Sequence, residues 1–263
     1  MTSGYTCLIT RPIKTRDKGI KNMELIRGIE QKPYRLLIYG VGGIGKSTLA
    51  TKAEKSVFVD IEDGLANIDC IKTPIVTSSA VLKSYLKSLT SNDEFKSIVI
   101  DSIDALEKVF VKEICREHKV NSISDLPYGQ GYDLLNTCWN EFLDMVDYMR
   151  KEGKNIVLIG HEVIKRYDDP RTEGYDRILL KMHQKSAGTV ISRMDAVLYI
   201  TYKYTVLKDA NAMKKAKTLG QGKRVIYTSE RPAFIAKNRY GMPHEIMELE
   251  TIYKYLNGDT KNV

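Results

Sequence analysis

The chain has 263 residues, 43% of them hydrophobic, which is enough to bury a sizeable core and suits one α/β domain with short appendages. Its formal charge of +8, from 41 basic and 33 acidic residues, is compatible with a polyanionic partner without identifying one. Four cysteines, at positions 7, 70, 115 and 138, form no CxxC pair and suggest neither a metal ribbon nor a disulfide framework. No apolar run reaches the roughly 18 residues of a membrane span, and the N-terminus lacks a signal-peptide core, so the expectation is a soluble cytoplasmic protein with no membrane partner.

Residues 1–30 mix Thr, Lys, Arg and Gly with little periodicity and are read as an arm, with a short strand near Tyr5–Ile9. Pro33 opens the core, taken as 31–250, with 251–263 as a C-terminal tail. Arg35-Leu36-Leu37-Ile38-Tyr39 is a short apolar run ending on glycine, the pattern of a buried parallel strand feeding a tight turn. A helix over Ser47–Lys55, a strand at Val57–Asp60, a weak strand at Ile75–Val76 and a helix over Ala80–Leu89 follow. Ser97–Asp101 is a further apolar strand closed by a carboxylate, and a helix runs from Ile103 to His118.

Lys119–Gly131 carries turn-forming residues and is read as a loop. Leu135, Trp139, Phe142, Leu143, Val146 and Met149 mark an amphipathic helix over Tyr132–Lys151, with Trp139 in the core. Asn155–Gly160 is the next strand. Glu162–Ser186 is long, charged and without apolar periodicity, and is read as a functional or mobile loop. Strands at Ala196–Thr201, Arg224–Tyr227 and Phe234–Ala236 complete an α/β fold whose central sheet is mostly parallel, with antiparallel strands on the C-terminal side. The stretch Lys203–Arg224 holds seven cations against Asp209. A solvated hairpin tip and a polyanion surface explain it equally well.

The sharpest signal is Gly40-Val41-Gly42-Gly43-Ile44-Gly45-Lys46-Ser47, followed by Thr48, between a strand and a helix. Glycines there let the backbone turn its N–H groups onto phosphate, Lys46 reaches the β and γ phosphates, and Ser47 offers its hydroxyl to Mg²⁺. Asp101, at the C-terminal end of a buried strand, points into the crevice where α/β sheets bind ligands and can hold that metal through water. Glu62, two residues past its strand, is the candidate for orienting the attacking water. From spacing alone it is equally well an exposed acid in a turn. His118, His183 and His244 lack paired ligands and are read as surface or packing residues.

Three segments together, Gly40–Ser47, Phe58–Leu65 and Ile98–Ser102, resemble the ATPase core of RecA-like recombinases. The pattern from Tyr34 to Leu249 is similar to phage-encoded, AAA-family single-strand annealing recombinases. The resemblance implies a P-loop NTPase with a RecA-like core, ATP and Mg²⁺ as cofactors, and Glu62 as catalytic base. His161, at the end of Leu158–Glu162, takes the place of the residue that senses the γ phosphate, usually a glutamine. Lys237 and Arg239 match a segment that reaches across a subunit interface to the neighbour's ATP.

The resemblance also implies a homo-oligomer, filament or ring, and single-stranded DNA as ligand, with a single-strand DNA-binding protein as a further partner. Its two DNA-holding loops correspond to Lys119–Gly131 and Glu162–Gly188, the second carrying Lys165, Arg166, Arg171, Arg177, Lys181 and Lys185. A lid over the nucleotide is the alternative for that segment. For the whole chain the alternatives are an ATP-driven loader or motor acting on a replication partner, a nucleotide-gated DNA-binding module without turnover, and a small-molecule kinase.

Overall fold

In the computed structural model, which describes residues 27–259 apart from 29, 171–172 and 208–216, the run Arg35–Gly40 forms strand β1 at the middle of a sheet. Successive side chains of a strand face opposite ways, so β1 is buried on both sides. Leu37 and Tyr39 enter one core layer with Trp139, Phe142 and Leu106, while Leu36 and Ile38 enter the other with Leu49, Ile252 and Leu256. The expected continuous apolar runs are the sequence form of this two-sided burial. The chain divides into two compact units, Met1–Lys32 and Pro33–Val263, and every strand and helix described belongs to the second.

The remaining strands are β2 (Ser56–Asp60), β3 (Ile71–Lys72), β4 (Ser97–Asp101), β5 (Asn155–Tyr167), β6 (Tyr175–Leu180), β7 (Ala196–Leu207), β8 (Lys217–Tyr227), β9 (Lys237–Asn238) and β10 (Glu245–Ile246). The helices are α1 (Lys46–Ala50), α2 (Ser79–Thr90), α3 (Ile103–His118), α4 (Gln130–Lys151), α5 (Gln184–Arg193) and α6 (Thr251–Leu256). The sheet runs β10-β8-β7-β1-β5-β4-β2-β3, parallel from β7 to β3 and antiparallel from β7 to β10. This is the mostly parallel α/β sheet with C-terminal antiparallel strands that the sequence indicates. β5 lies between the P-loop strand β1 and the Asp101 strand β4. Its register sets Gly40 opposite His161 and Asp101 opposite Ile159, so β1 and β4 end, and β5 leaves them, at one edge of the sheet.

Several expectations need correction. Glu162–Ser186 is not an irregular loop: β5 continues out of the sheet and pairs antiparallel with β6, from Glu162 opposite Leu180 to Tyr167 opposite Tyr175. A two-stranded ribbon has little core to pack against, so it can be stable without the apolar alternation used to recognise strands. The weak strand falls at Ile71–Lys72 rather than Ile75–Val76, and Phe234 forms only isolated bridges. Lys119–Gly131 begins with Lys119 in the left-handed region, ending α3, and then forms two short 3-10 turns. Thr251–Leu256, within the segment read as a tail, forms α6 and buries Ile252, Tyr253 and Leu256, with the Tyr253 hydroxyl donating to Leu49 O at 3.0 Å.

At the opposite edge, where β1 and β7 begin, charges are paired in a network centred on the buried Asp195. Arg35 donates to Asp195 through Nη2 at 2.9 Å and Nε at 3.3 Å, and to Asp147 through Nη1 at 2.5 Å. Arg150 and Arg239 reach the same Asp195 carboxylate at 3.1 and 3.3 Å, and Arg193 holds Asp147 and Asp144. Burial pushes the Asp195 carboxyl up, but the Arg35 hydrogen bonds and the surrounding guanidinium charge outweigh it and hold the group below the usual carboxylate range.

Candidate functional site

The phosphate loop lies between β1 and α1. A Cβ on Gly40 would fall 2.1 Å from Ile200 O, so only glycine lets β1 pass β7 there. Gly45 has φ 98°, a conformation that favours glycine. Lys46, 5% exposed, donates to Gly40 O at 3.1 Å and Val41 O at 2.9 Å. Burial pushes its ammonium pKa down, against the attraction of Asp101 and Asp104. It therefore bonds its own loop with a charge that is incompletely compensated. α1 is only five residues long, so the nest and Lys46, rather than a long helix dipole, supply the positive potential.

Ser47 Oγ donates to Asp101 Oδ2 at 2.5 Å, which joins the two sequence-predicted metal ligands directly. Asp101 is 3% exposed, and burial pushes its carboxyl up to about 6 despite the Ser47 bond. A hydroxyl and a desolvated carboxylate meeting at the mouth of a phosphate nest fit a hard, oxygen-seeking dication such as Mg²⁺. These residues would hold the metal, and the metal would supply charge neutralisation for bound phosphates.

The Asp101–Ser102 peptide is cis. Ser102 caps α3, its oxygen accepting from Ala105 N at 3.4 Å while its hydroxyl donates to Glu62 Oε2 at 2.7 Å. Glu62 is thus an oriented carboxylate tied to the residue after Asp101, rather than a freely rotating acid in a turn. Asp104, two residues further, accepts from His161 N at 3.2 Å and meets His161 Nδ1 at 2.9 Å. Burial favours the protonated form of Asp104, but the His161 contact prevails and holds its carboxyl low. Ligand atoms of Glu62, Asp104 and His161 all lie within 4.8 Å of one another. Sequence reasoning found Glu62 and His161 but missed Ser102 and Asp104. A serine in helix N-cap position directly after the carboxylate that ends β4 was the available signal.

Lys237 and Arg239 lie at the other edge of the sheet. β9 pairs with the start of β7, Lys237 Nζ caps α5 through Ile191 O and Ser192 O at 3.0 and 2.9 Å, and Arg239 joins Asp195. Neither stands beside this chain's own phosphate loop.

Among the six cations assigned to the 162–188 segment, Lys165 and Lys181 line a cleft of about 590 Å³ between α3 and the β5–β6 ribbon. Lys108 and Lys112, missed in the sequence, line it from one face of α3. All four are exposed, and none makes an ion pair among the described residues. Arg177 binds Glu230 and lies 5.2 Å from the Tyr167 ring centroid, Lys185 binds Asp133 at 2.5 Å, and Arg166 faces Asp176 at 3.8 Å. Arg171 lies outside the described residues, as do Lys208, Lys214 and Lys215 of the basic stretch. Within that stretch Lys203 pairs with Glu245 at 2.9 Å.

A phosphate nest at the C-terminal edge of a parallel sheet, a serine–aspartate pair for the metal and a strand inserted between β1 and β4 define a nucleotide-binding P-loop NTPase domain. The model of the AAA domain family matches residues 32–240, and the chain belongs to that family. It is also 26% identical over 180 residues to the SPbeta prophage-derived uncharacterized protein YorG of Bacillus subtilis (strain 168). That match covers 66% of this chain and 52% of the relative, so the matched region spans about half the relative's length. No helix among the described residues is long and apolar enough to cross a membrane.

Proposed function

We propose that the protein hydrolyses ATP with Mg²⁺, binds single-stranded DNA and promotes strand annealing in phage recombination. The observation that carries the hydrolytic part is the division of labour between two acids one residue-contact apart. Asp101 is buried against Ser47, and Glu62 is exposed and aimed by Ser102. In this reading Lys46 and Ser47 bind the phosphates and metal, Glu62 takes the proton of the attacking water, and His161 reports the γ phosphate to the ribbon that follows it.

Support for DNA comes from the cleft in which four lysines outnumber Asp104 and Glu107, a net positive groove suited to a phosphodiester backbone. The prophage relative supports a phage setting, and the annealing assignment rests on likeness to the recombinases. Lys237 and Arg239, remote from this chain's own nest, would complete a neighbour's site in a filament or ring. Arg239 would then exchange Asp195 for phosphate. Turnover measured with and without single-stranded DNA over a salt series tests the reading. Stimulation that fades as salt rises is expected, and turnover indifferent to DNA, with no salt-sensitive binding, would remove the recombination role.

A further inference from the structure

Arg224 has no role in the scheme above, yet it touches the phosphate loop. It projects from β8, and its Nη1 donates to Ile44 O at 3.2 Å. A Cβ built on Gly45 would lie 2.4 Å from the same nitrogen, so the bare backbone of Gly45 makes room for the guanidinium. A guanidinium carries five N–H donors. Among the described residues this one uses a single protein acceptor and has no carboxylate partner. Such an exposed, under-used cation at an anion nest is positioned for an anionic ligand rather than for holding the fold.

The same side chain forms one wall of a second cleft, of about 600 Å³, that begins where the phosphate loop ends. Thr48 of α1 and Lys52 just beyond its end line one side, Lys223 and Arg224 of β8 another, and Met247 and Leu249 a third. Met247 is 42% exposed, a large apolar side chain presented to the opening. Lys52 and Glu250 pair across the rim at 3.4 Å, which leaves Arg224 as the cation nearest the nest without a partner there. A nucleotide with its phosphates in the nest must leave through an adjoining space, and its flat base needs an apolar surface while its innermost phosphate needs a cation.

We propose that this cleft is the nucleoside subsite and that Arg224 binds the phosphate nearest the ribose, in cis, at the junction of cleft and nest. The inference rests on the P-loop reading and adds to it a base-side wall built from the antiparallel strands and the segment before α6. Those elements lie outside the strand–loop–helix unit that the phosphate motif marks.

Calorimetric titration of the full chain with MgATP and with inorganic tripolyphosphate tests it. The wild type is expected to bind ATP about tenfold or more tightly than tripolyphosphate, because only ATP fills the cleft. Met247→Glu should erase that preference while leaving tripolyphosphate affinity as it was. Arg224→Ala should weaken both ligands about tenfold, with partial recovery in Arg224→Lys, since the charge but not the forked geometry returns. Both side chains are exposed, so thermal melts of the variants should match the wild type. Equal wild-type affinity for ATP and tripolyphosphate, or unchanged ATP binding in both variants, would overturn the subsite and leave the phosphate nest standing. Binding of neither ligand by the wild type would overturn the P-loop reading and this inference together.

Discussion

The two edges of the central sheet bury charge in opposite ways. Where β1 and β7 begin, Arg35, Arg150 and Arg239 converge on Asp195, and Asp147 accepts from Nη1 of both Arg35 and Arg193. Where β1 and β4 end, Lys46 leans on its own backbone carbonyls, Asp101 is desolvated with one serine for company, and Glu62 is held by another. The first edge is saturated and the second is short of partners. Residual, unspent interaction marks the working edge, because a ligand is bound by groups the fold has not already satisfied.

That contrast can be broken most severely at Glu62. Glu62→Gln keeps an oxygen for Ser102 but removes the base, and turnover should fall about a thousandfold while nucleotide affinity stays within about twofold. Turnover near the wild-type rate would return Glu62 to the status of a surface acid. At the saturated edge the effect should appear in stability instead. Asp195→Ala leaves the nearly buried Arg35 with Asp147 alone and takes the same carboxylate from Arg150 and Arg239, at a cost of about 3 kcal/mol in denaturant unfolding, with nucleotide affinity preserved in the fraction that folds. Loss of nucleotide affinity without loss of stability would dissolve the distinction between the edges.

A smaller effect concerns pH. Burial raises the Asp101 carboxyl to about 6, so protonation competes with metal binding below that pH. Metal-dependent turnover should drop about tenfold between pH 7 and pH 5, and Asp101→Asn should abolish the pH response along with most activity. For folding the sign is reversed. A carboxyl whose folded pKa lies above its unfolded value binds protons more readily in the native state, so its contribution to stability grows as pH falls from about 6 toward 4. An activity profile flat from pH 7 to 5 would show Asp101 to be ionised throughout. The smallest effect is at Lys237. Lys237→Met removes a cap from α5 and should cost about 1 kcal/mol or less, yet in an oligomer with trans-acting fingers it should also lower turnover of mixed assemblies.

Much of this site is legible in the sequence because local rules govern it. A phosphate nest is one continuous segment with its glycines at fixed offsets, and Asp101 ends an apolar run that could scarcely be anything but a buried strand. Asp104, Ser102 and Arg224 escape notice because their roles depend on what other strands bring near them. Nothing in Lys223-Arg224 distinguishes the cation that reaches Ile44 from neighbours in a lysine-rich stretch. The β5–β6 ribbon was hidden for a related reason. Its strands are stabilised by pairing with each other, and pairing leaves a weaker imprint on composition than burial does.

β5 is a single unbroken strand of 13 residues, from the interior of the sheet past His161 to the ribbon tip at Tyr167. Six residues of extended chain span roughly 20 Å, so the tip and the nucleotide site are two ends of one beam, with Asp104 clamping the beam where it leaves the sheet. The contact between His161 and Asp104 is therefore a tie to α3 at the point where the strand passes from the nucleotide site into the ribbon, one piece of chain common to both.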